Sequence, residues 1–140
     1  HLQKFLNTMH KPSLLAGSLL AMLAVIFGAF GAHYLKTIFT PELLSSFETG
    51  VKYQMYHSVA LLVLGLYAQV SSQSVKVIFG LFLAGIILFS GSIYLLCLLK
   101  SNLQIGLGGL GVLTPIGGLL FISAWLVWFI QILKTSVSNK

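Results

Sequence analysis

The stretch VKYQMYHSVALLVLGLY, residues 51–67, places several hydrogen-bonding side chains directly before an apolar segment. These side chains belong to Tyr53, Gln54, Tyr56 and His57. An unpaired polar group is costly in an apolar medium, so a helix that begins in this way must find hydrogen-bonding partners. The stretch therefore predicts a helix whose polar end packs against polar groups from elsewhere in the chain.

The chain as a whole is too apolar for a soluble domain. Its 140 residues are 57% hydrophobic and only 7% charged, whereas about a quarter of the residues of a soluble domain are charged. We therefore interpret it as an integral membrane protein. The formal charge of +6 comes from eight lysines against Glu42 and Glu48. Because the lysines stand singly near the ends of apolar runs, they indicate contacts with membrane lipids and no nucleic-acid partner.

Four apolar runs have the length that a helix needs to cross a bilayer. The predicted spans are residues 13–35, 53–70, 76–99 and 112–133. None of them alternates with a period of two, so helices are the only spanning option. The predicted fold class is all-α, an integral membrane four-helix bundle that forms a single membrane domain over residues 1–140.

The first run has some features of a cleavable signal peptide. Lys4 and Lys11 precede it, and small residues lie near its end. Its apolar core is longer than the usual 7–15 residues or so of a signal peptide. This length favours a retained span.

The distribution of lysines predicts the orientation. With four spans, both termini lie on one side of the membrane, and that side carries more lysines than the other. It collects Lys4, Lys11, Lys76, Lys134 and Lys140, against Lys36, Lys52 and Lys100 on the opposite side. The excess favours cytoplasmic termini.

A short interfacial helix is predicted between the first two spans, at about residues 41–49. Thr40 suits the N-cap and Pro41 the first helical position, while Gly50 suits a helix end. The apolar residues of this segment share one face, as in a helix that lies in the membrane interface.

Small residues recur at steps of three and four along two of the spans. On the first span they are Gly17, Ala21, Ala24, Gly28 and Gly31. On the third span they are Gly80, Ala84 and Gly91. Because the spans carry no charge in their interiors, we interpret these stripes as sites of close helix packing rather than as a channel lining.

Antiparallel spans bring polar residues of all four helices into the same leaflet. The predicted polar cluster comprises His33, Tyr53, Gln54, Tyr56, His57, Ser90, Ser92, Tyr94 and Thr114. Its histidines have two interpretations: a structural role in a hydrogen-bonded network, or a ligand-binding or proton-handling role. Haem or metal ligation by His33 and His57 at similar depth is a further alternative. No metal and no cofactor are predicted.

Two other patterns have simpler explanations. Residues 106–111, GLGGLG, match the dinucleotide fingerprint G-x-G-x-x-G, which requires a preceding strand and an acidic residue about 20 positions later. No Asp or Glu follows Glu48, so we expect no nucleotide binding. Phe121, Trp125 and Trp128 follow helical spacing, which indicates packing or an interfacial aromatic belt.

Four segments together resemble a known family. They are GAFGAHYL (28–35), ETGVKYQMYHSVALL (48–62), ILFSGSIYLL (87–96) and LTPIGGLLFISAW (113–125). In this order they resemble the YgdD-like family of small four-span bacterial membrane proteins, which also includes mitochondrial transmembrane protein 256. This chain has Ala124 where family members often have a glycine. The resemblance implies the fold and the membrane location, and it brings no assigned reaction.

The leading functional hypothesis is a non-enzymatic, multi-pass protein of the inner membrane whose polar cluster binds a lipid, a small molecule or a partner subunit. The partner could be another membrane protein or a second copy of the chain. The alternative is a small transporter or proton-coupled permease that uses His57 and its neighbours. An enzyme is not predicted, because the spans contain no constellation of nucleophile, base and carboxylate.

Overall fold

The computed structural model describes residue 3, residues 8–103 and residues 108–135, and these residues contain helices and turns but no strand. The helices are α1 (Lys11–His33), α2 (Pro41–Tyr67), α3 (Lys76–Ile86), α4 (Ser92–Leu103) and α5 (Leu113–Lys134). A π-helical turn, Ile87–Gly91, joins α3 to α4 in one continuous segment, and 3-10 turns cover Leu35–Thr37 and Gly108–Val112. The all-helical class is thus confirmed.

Three helical segments are long and apolar enough to cross a membrane. They are Lys11–Ile38, Lys76–Asn102 and Gly109–Lys134. The first, third and fourth predicted spans fall within these segments. The helix α2 is not one of the three, because charged and polar side chains occur along it from Glu42 to Ser58 and only its last turns are continuously apolar.

The outer surfaces of the long helices are apolar. Leu15 and Val25 on α1 are each 62% exposed, and Leu119 and Phe129 on α5 are exposed to a similar degree. Large apolar side chains that point outward over whole helices are typical of surfaces in contact with lipid. These surfaces agree with the expected membrane environment.

The predicted interfacial helix at residues 41–49 is wrong as a separate element. The helix α2 does begin where expected, with Pro41 in its first turn and the Thr40 hydroxyl accepting a hydrogen bond from the Leu43 amide at 3.3 Å. It then continues without interruption to Tyr67. One helix therefore replaces the predicted interfacial helix and second span.

Gly50 does not end a helix because it lies where α2 packs against α4. A Cβ atom at this position would lie 2.9 Å from the Tyr94 ring and 3.2 Å from Ile93. The Gly50 carbonyl also accepts a hydrogen bond from the Ser90 hydroxyl at 2.6 Å. These contacts offset the cost of about 1 kcal/mol that glycine brings to a helix interior.

The small residues of α1 lie against α2. A Cβ atom added at Gly17 would meet the Ser58 carbonyl oxygen at 2.8 Å, and one added at Gly31 would meet the Phe47 ring at 3.3 Å. Ala24 is buried between these positions. At Gly28 the approach is looser, since a Cβ atom would lie 3.5 Å from Val51. Such contacts let two backbones approach closely along most of α1.

The predicted stripe on the third span is wrong at two of its positions. Cβ atoms added at Gly80 and Gly91 would meet nothing within 4 Å, and Ala84 is only half-buried. The close contact is instead at Gly85, where a Cβ atom would lie 2.6 Å from the Phe121 ring of α5. Spacing alone could not distinguish these faces, because the direction of the neighbouring helix decides which small residue is covered.

Two apolar clusters occupy opposite ends of the helix assembly. The larger cluster lies near the end where α2 stops and α3 begins, and it includes Leu61, Leu64, Ile78 and Phe82, all fully buried. The smaller cluster lies near the start of α2 and the end of α4. It contains Leu35, Phe39, Phe47, Ile93 and Cys97. Along α2, the buried polar side chains lie between these two clusters.

Candidate functional site

The centre of the site is one face of α2. Gln54, His57 and Ser58 follow a three- and four-residue spacing, which places them on the same side of the helix. All three are at most 5% exposed. Because α2 begins at Pro41, His57 lies about 24 Å along the helix axis from its start and about 15 Å from its end. These three residues therefore lie well inside α2, whereas a helix beginning at Tyr53 would place them in its first turns.

Gln54 connects three helices through its side-chain amide. Its Nε2 donates to the Leu20 carbonyl of α1 at 2.8 Å. Its Oε1 accepts from the Tyr94 hydroxyl of α4 at 2.7 Å. The Ser58 hydroxyl in turn donates to the Gln54 carbonyl at 2.6 Å. These bonds provide the partners that a buried amide requires in an apolar environment.

Two serines at the π-helical turn, Ser90 within it and Ser92 directly after it, point in different directions. Ser90 points to α2, where it donates to the Gly50 carbonyl. Ser92 donates to the Phe89 carbonyl at 3.0 Å, so Thr114 of α5 is the donor in the 2.5 Å contact between the Ser92 and Thr114 hydroxyls. A π turn changes the helical register by adding a residue. Here the turn itself packs against both α2 and α5.

Both ring nitrogens of His57 have a hydrogen-bonding partner. Its Nδ1 lies 2.7 Å from the Tyr53 carbonyl oxygen, and the Trp125 indole Nε1 lies 3.2 Å from its Nε2. A carbonyl can only accept and an indole N–H can only donate. We therefore assign a neutral imidazole with its proton on Nδ1. The ring also stacks on Phe121, with centroids 3.5 Å apart and planes within 4° of parallel.

Beside His57, α2 and α5 form an aromatic groove of about 530 Å³ that we call the α2–α5 groove. Its walls are Tyr53, Tyr56, His57, Phe89, Gly118, Phe121, Ile122 and Trp125. Tyr53 is 40% exposed and Tyr56 is 59% exposed. Neither tyrosine hydroxyl bonds to another described residue. The groove thus combines a flat apolar wall with two free hydroxyl groups.

His33 lies apart from the other residues of the predicted cluster. It is exposed at the end of α1, two residues beyond Gly31, which packs on Phe47. His57 is ten residues further along α2 than Phe47, or about 15 Å along the axis. The two histidines are therefore at different depths, and the alternative in which both ligate one metal or haem is wrong.

Among the buried side-chain nitrogen and oxygen atoms in the described part of the chain, only Trp128 Nε1 lacks a hydrogen-bonding partner. The internal members of the predicted cluster thus bond to one another, to nearby carbonyls or, at His57, to the Trp125 indole. Several partners were missed from sequence, among them the backbone carbonyls of Leu20 and Gly50. No side-chain pattern could have indicated these carbonyls, because every residue carries a carbonyl.

The aromatic stripe on α5 contributes more than packing alone. Phe121 and Trp125 both contact His57, one by stacking and the other by a hydrogen bond. Their four-residue spacing placed them on one face, but nothing in that spacing pointed to His57. Of the GLGGLG segment, residues 106 and 107 lie outside the described residues, and Gly108–Val112 forms a 3-10 turn before α5.

The long helices and their apolar outer surfaces are those of a small helical membrane protein. A model of the family described as "Protein of unknown function (DUF423)" matches residues 27–118. No solved structure matches the chain.

Among similar proteins, a UPF0382 membrane protein of Staphylococcus epidermidis is 44% identical over 124 residues, which cover 89% of this chain and 97% of that protein. The UPF0382 membrane protein YwdK of Bacillus subtilis is 38% identical over 126 residues, covering 89% and 98%. A UPF0382 membrane protein of Haemophilus influenzae is 39% identical over 102 residues, covering 73% and 77%. The chain belongs to the DUF423 / UPF0382 family of membrane proteins, which confirms the expected membership of a small membrane-protein family without an assigned function.

Proposed function

We propose that this protein is a non-enzymatic, multi-pass membrane protein that binds a membrane-dissolved amphiphile in the α2–α5 groove. The observation that carries the proposal is the pair of exposed hydroxyls, Tyr53 and Tyr56, beside the stacked rings of His57 and Phe121. Ligand sites combine mostly apolar walls with a few polar groups that fix orientation. A hydroxyl group in the apolar layer of a membrane is also stabilised when it gains a hydrogen-bonding partner. The occupant has a flat or chain-like apolar body and a hydrogen-bonding headgroup.

The alternative, a proton-coupled permease using His57, has less support. The free electron pair of Nε2 already accepts the Trp125 N–H. Protonation of Nε2 would place two N–H donors against each other, so proton uptake would require this contact to break. Among the described residues, the other buried side-chain nitrogen and oxygen atoms also have hydrogen-bonding partners, with the exception of Trp128 Nε1. We therefore assign His57 to the wall of the binding groove.

The binding proposal predicts a molecule that stays with the protein during gentle extraction. We expect mass spectrometry of the wild type to show a stoichiometric bound amphiphile. The double variant Tyr53→Phe/Tyr56→Phe keeps both rings and removes both hydroxyls. It should bind about fivefold to 150-fold more weakly, because two lost hydrogen bonds of about 0.5–1.5 kcal/mol each amount to about 1–3 kcal/mol. Tyr34→Phe is the matched control, because Tyr34 is also an exposed tyrosine but lies at a different groove.

Trp125 offers a second readout in the same groove. The chain has two tryptophans, so Trp128→Phe leaves Trp125 as the only one. Saturable quenching of its fluorescence by a brominated fatty-acyl amphiphile should be weaker in the double tyrosine variant. Equal quenching in both proteins, together with no retained molecule in the wild type, would contradict the proposal.

The proposed topology has four spans. They are the three candidate spans and α2, which is the second span in chain order. Its 27 residues extend about 40 Å, more than the hydrocarbon thickness requires. It also packs along α1, itself a candidate span, from Gly17 to Gly31. The hydrogen bonds of Gln54 and His57 reduce the cost of placing these polar side chains within the membrane. Together with the lysine distribution, this supports cytoplasmic termini and an inner-membrane location.

Reporter fusions test this topology. A reporter active only in the cytoplasm should be active when fused to the C-terminus and inactive when inserted at Thr37, between α1 and α2. The same reporter inserted at Gln73, between α2 and α3, is the control and should be active. Cytoplasmic activity at all three positions would show that α2 does not cross the membrane.

A further inference from the structure

A second crevice lies along the first turns of α2, before the two exposed tyrosines. Helices α2 and α4 and the start of α5 enclose about 340 Å³ there. Its inner wall is apolar and includes Leu43, Ile93 and Leu96, while Ser46 and Lys100 are exposed at its rim. Phe89 borders both this crevice and the α2–α5 groove. We name it the Lys100 crevice.

The polar groups at the rim of the Lys100 crevice have defined roles as hydrogen-bond donors or acceptors. Ser46 donates to the Glu42 carbonyl and Thr49 donates to the Ser45 carbonyl, both at 3.0 Å. Their hydroxyl protons are thus used within α2, and their oxygens remain free to accept. Lys100 supplies a cation and can only donate. A matching headgroup must therefore carry an anion for Lys100 and hydroxyl donors for the two α2 oxygens.

A neighbouring groove provides an internal comparison. It also lies beside α4, where it has a volume of about 450 Å³, and α1 forms its other wall. Its lining includes Phe30, Tyr34, Leu98 and Asn102 but no charged residue. Both grooves can accept an acyl chain, whereas only the Lys100 crevice combines apolar walls with a cation. Lys100 also lies two residues before the end of the candidate span Lys76–Asn102, at the height where lipid headgroups are found.

We propose that the Lys100 crevice binds an anionic glycerophospholipid with a hydroxylated headgroup, of the phosphatidylglycerol type. The phosphate pairs with the Lys100 ammonium, and the headgroup hydroxyls donate to Ser46 and Thr49. One acyl chain lies along the apolar wall. This site is separate from the proposed amphiphile groove and does not depend on it.

The test is native mass spectrometry of the full chain in detergent, titrated with phosphatidylglycerol, phosphatidic acid and phosphatidylethanolamine of identical acyl chains. We expect phosphatidylglycerol to bind most tightly, because phosphatidic acid lacks the headgroup hydroxyls and phosphatidylethanolamine lacks the net charge. Lys100→Gln should weaken phosphatidylglycerol binding about fivefold, the effect of one basic residue at an anionic membrane surface. Thr49→Val should reduce the preference for phosphatidylglycerol over phosphatidic acid.

Two controls separate this site from general surface charge and from the other groove. Lys36→Gln removes a lysine at the same end of the molecule and should leave binding unchanged. Tyr53→Phe/Tyr56→Phe should also leave phosphatidylglycerol binding unchanged. Equal losses from Lys36→Gln and Lys100→Gln, or equal binding of the three lipids, would overturn the proposal. Binding of a co-purified polypeptide that phosphatidylglycerol does not displace, and that Lys100→Gln releases, would assign the crevice to a protein partner instead.

Discussion

The substitution Gly117→Ala is expected to lower the free energy of unfolding by about 1–3 kcal/mol, the usual cost of overpacking a close contact. Gly117 of α5 lies directly on the backbone of Phe89 in the π-helical turn. An added Cβ atom would contact the Phe89 amide nitrogen and approach its Cα to 2.7 Å. Backbone atoms cannot move aside as the end of a flexible side chain can, so the two helical segments must separate.

The neighbouring glycine is a matched control for this effect. At Gly118, an added Cβ atom would lie 3.9 Å from the Phe89 ring, an ordinary contact distance. Both substitutions replace a glycine within α5, so the gain in helix propensity is similar. Denaturant titration of the detergent-solubilised variants should therefore show a large loss for Gly117→Ala and little loss for Gly118→Ala. Equal midpoints for the two variants would contradict the close contact.

The second large effect concerns the Gln54–Tyr94 hydrogen bond. Gln54→Leu leaves the Tyr94 hydroxyl without its acceptor and the Leu20 carbonyl without the Gln54 donor. An unsatisfied buried polar group costs about 1–3 kcal/mol. We expect a destabilisation in that range, with the α1–α2–α4 contact as the first part of the molecule to loosen.

A double-mutant cycle isolates this bond from the change in packing. Tyr94→Phe removes the donor hydroxyl and keeps the ring, and Gln54→Leu removes the acceptor. Unfolding free energies of both single variants and of the double variant should give a coupling of about 0.6–1.7 kcal/mol, as found for hydrogen bonds between membrane helices. Ser123→Ala serves as the control partner, because Ser123 is exposed on α5 and donates only to its own helix. The coupling between Ser123→Ala and Gln54→Leu should be near zero. A near-zero coupling between Tyr94→Phe and Gln54→Leu would mean that the hydrogen bond does not form in the folded protein.

Part of the site could be predicted from side-chain chemistry in the sequence. Gln54, His57, Ser90, Ser92 and Tyr94 were all expected to lie near one another, because polar groups in apolar helices must be satisfied. The structure bonds Gln54 directly to Tyr94. The other three bond elsewhere: Ser90 to the Gly50 carbonyl, Ser92 to Thr114 and His57 to Trp125. His33 is exposed at the end of α1. Hydrophobic periodicity gives the face of a residue on its own helix. It does not give the depth at which two helices align.

The sequence by itself determined the class of protein, three of the four predicted apolar spans and the start of α2. Those properties depend on composition, on run length and on local groups such as Thr40 and Pro41, whose effects act within a few residues.

Only the tertiary structure decided that α2 continues through Gly50, that Gly85 rather than Gly80 is covered, and that Trp125 donates to His57. Each of these depends on contacts between residues far apart in the chain. A glycine can end a helix or admit a neighbouring helix, and its local sequence is compatible with both. The physical reason is that the free energy of close packing and of buried hydrogen bonds belongs to pairs of helices, so it is fixed only when their relative depth and rotation are set.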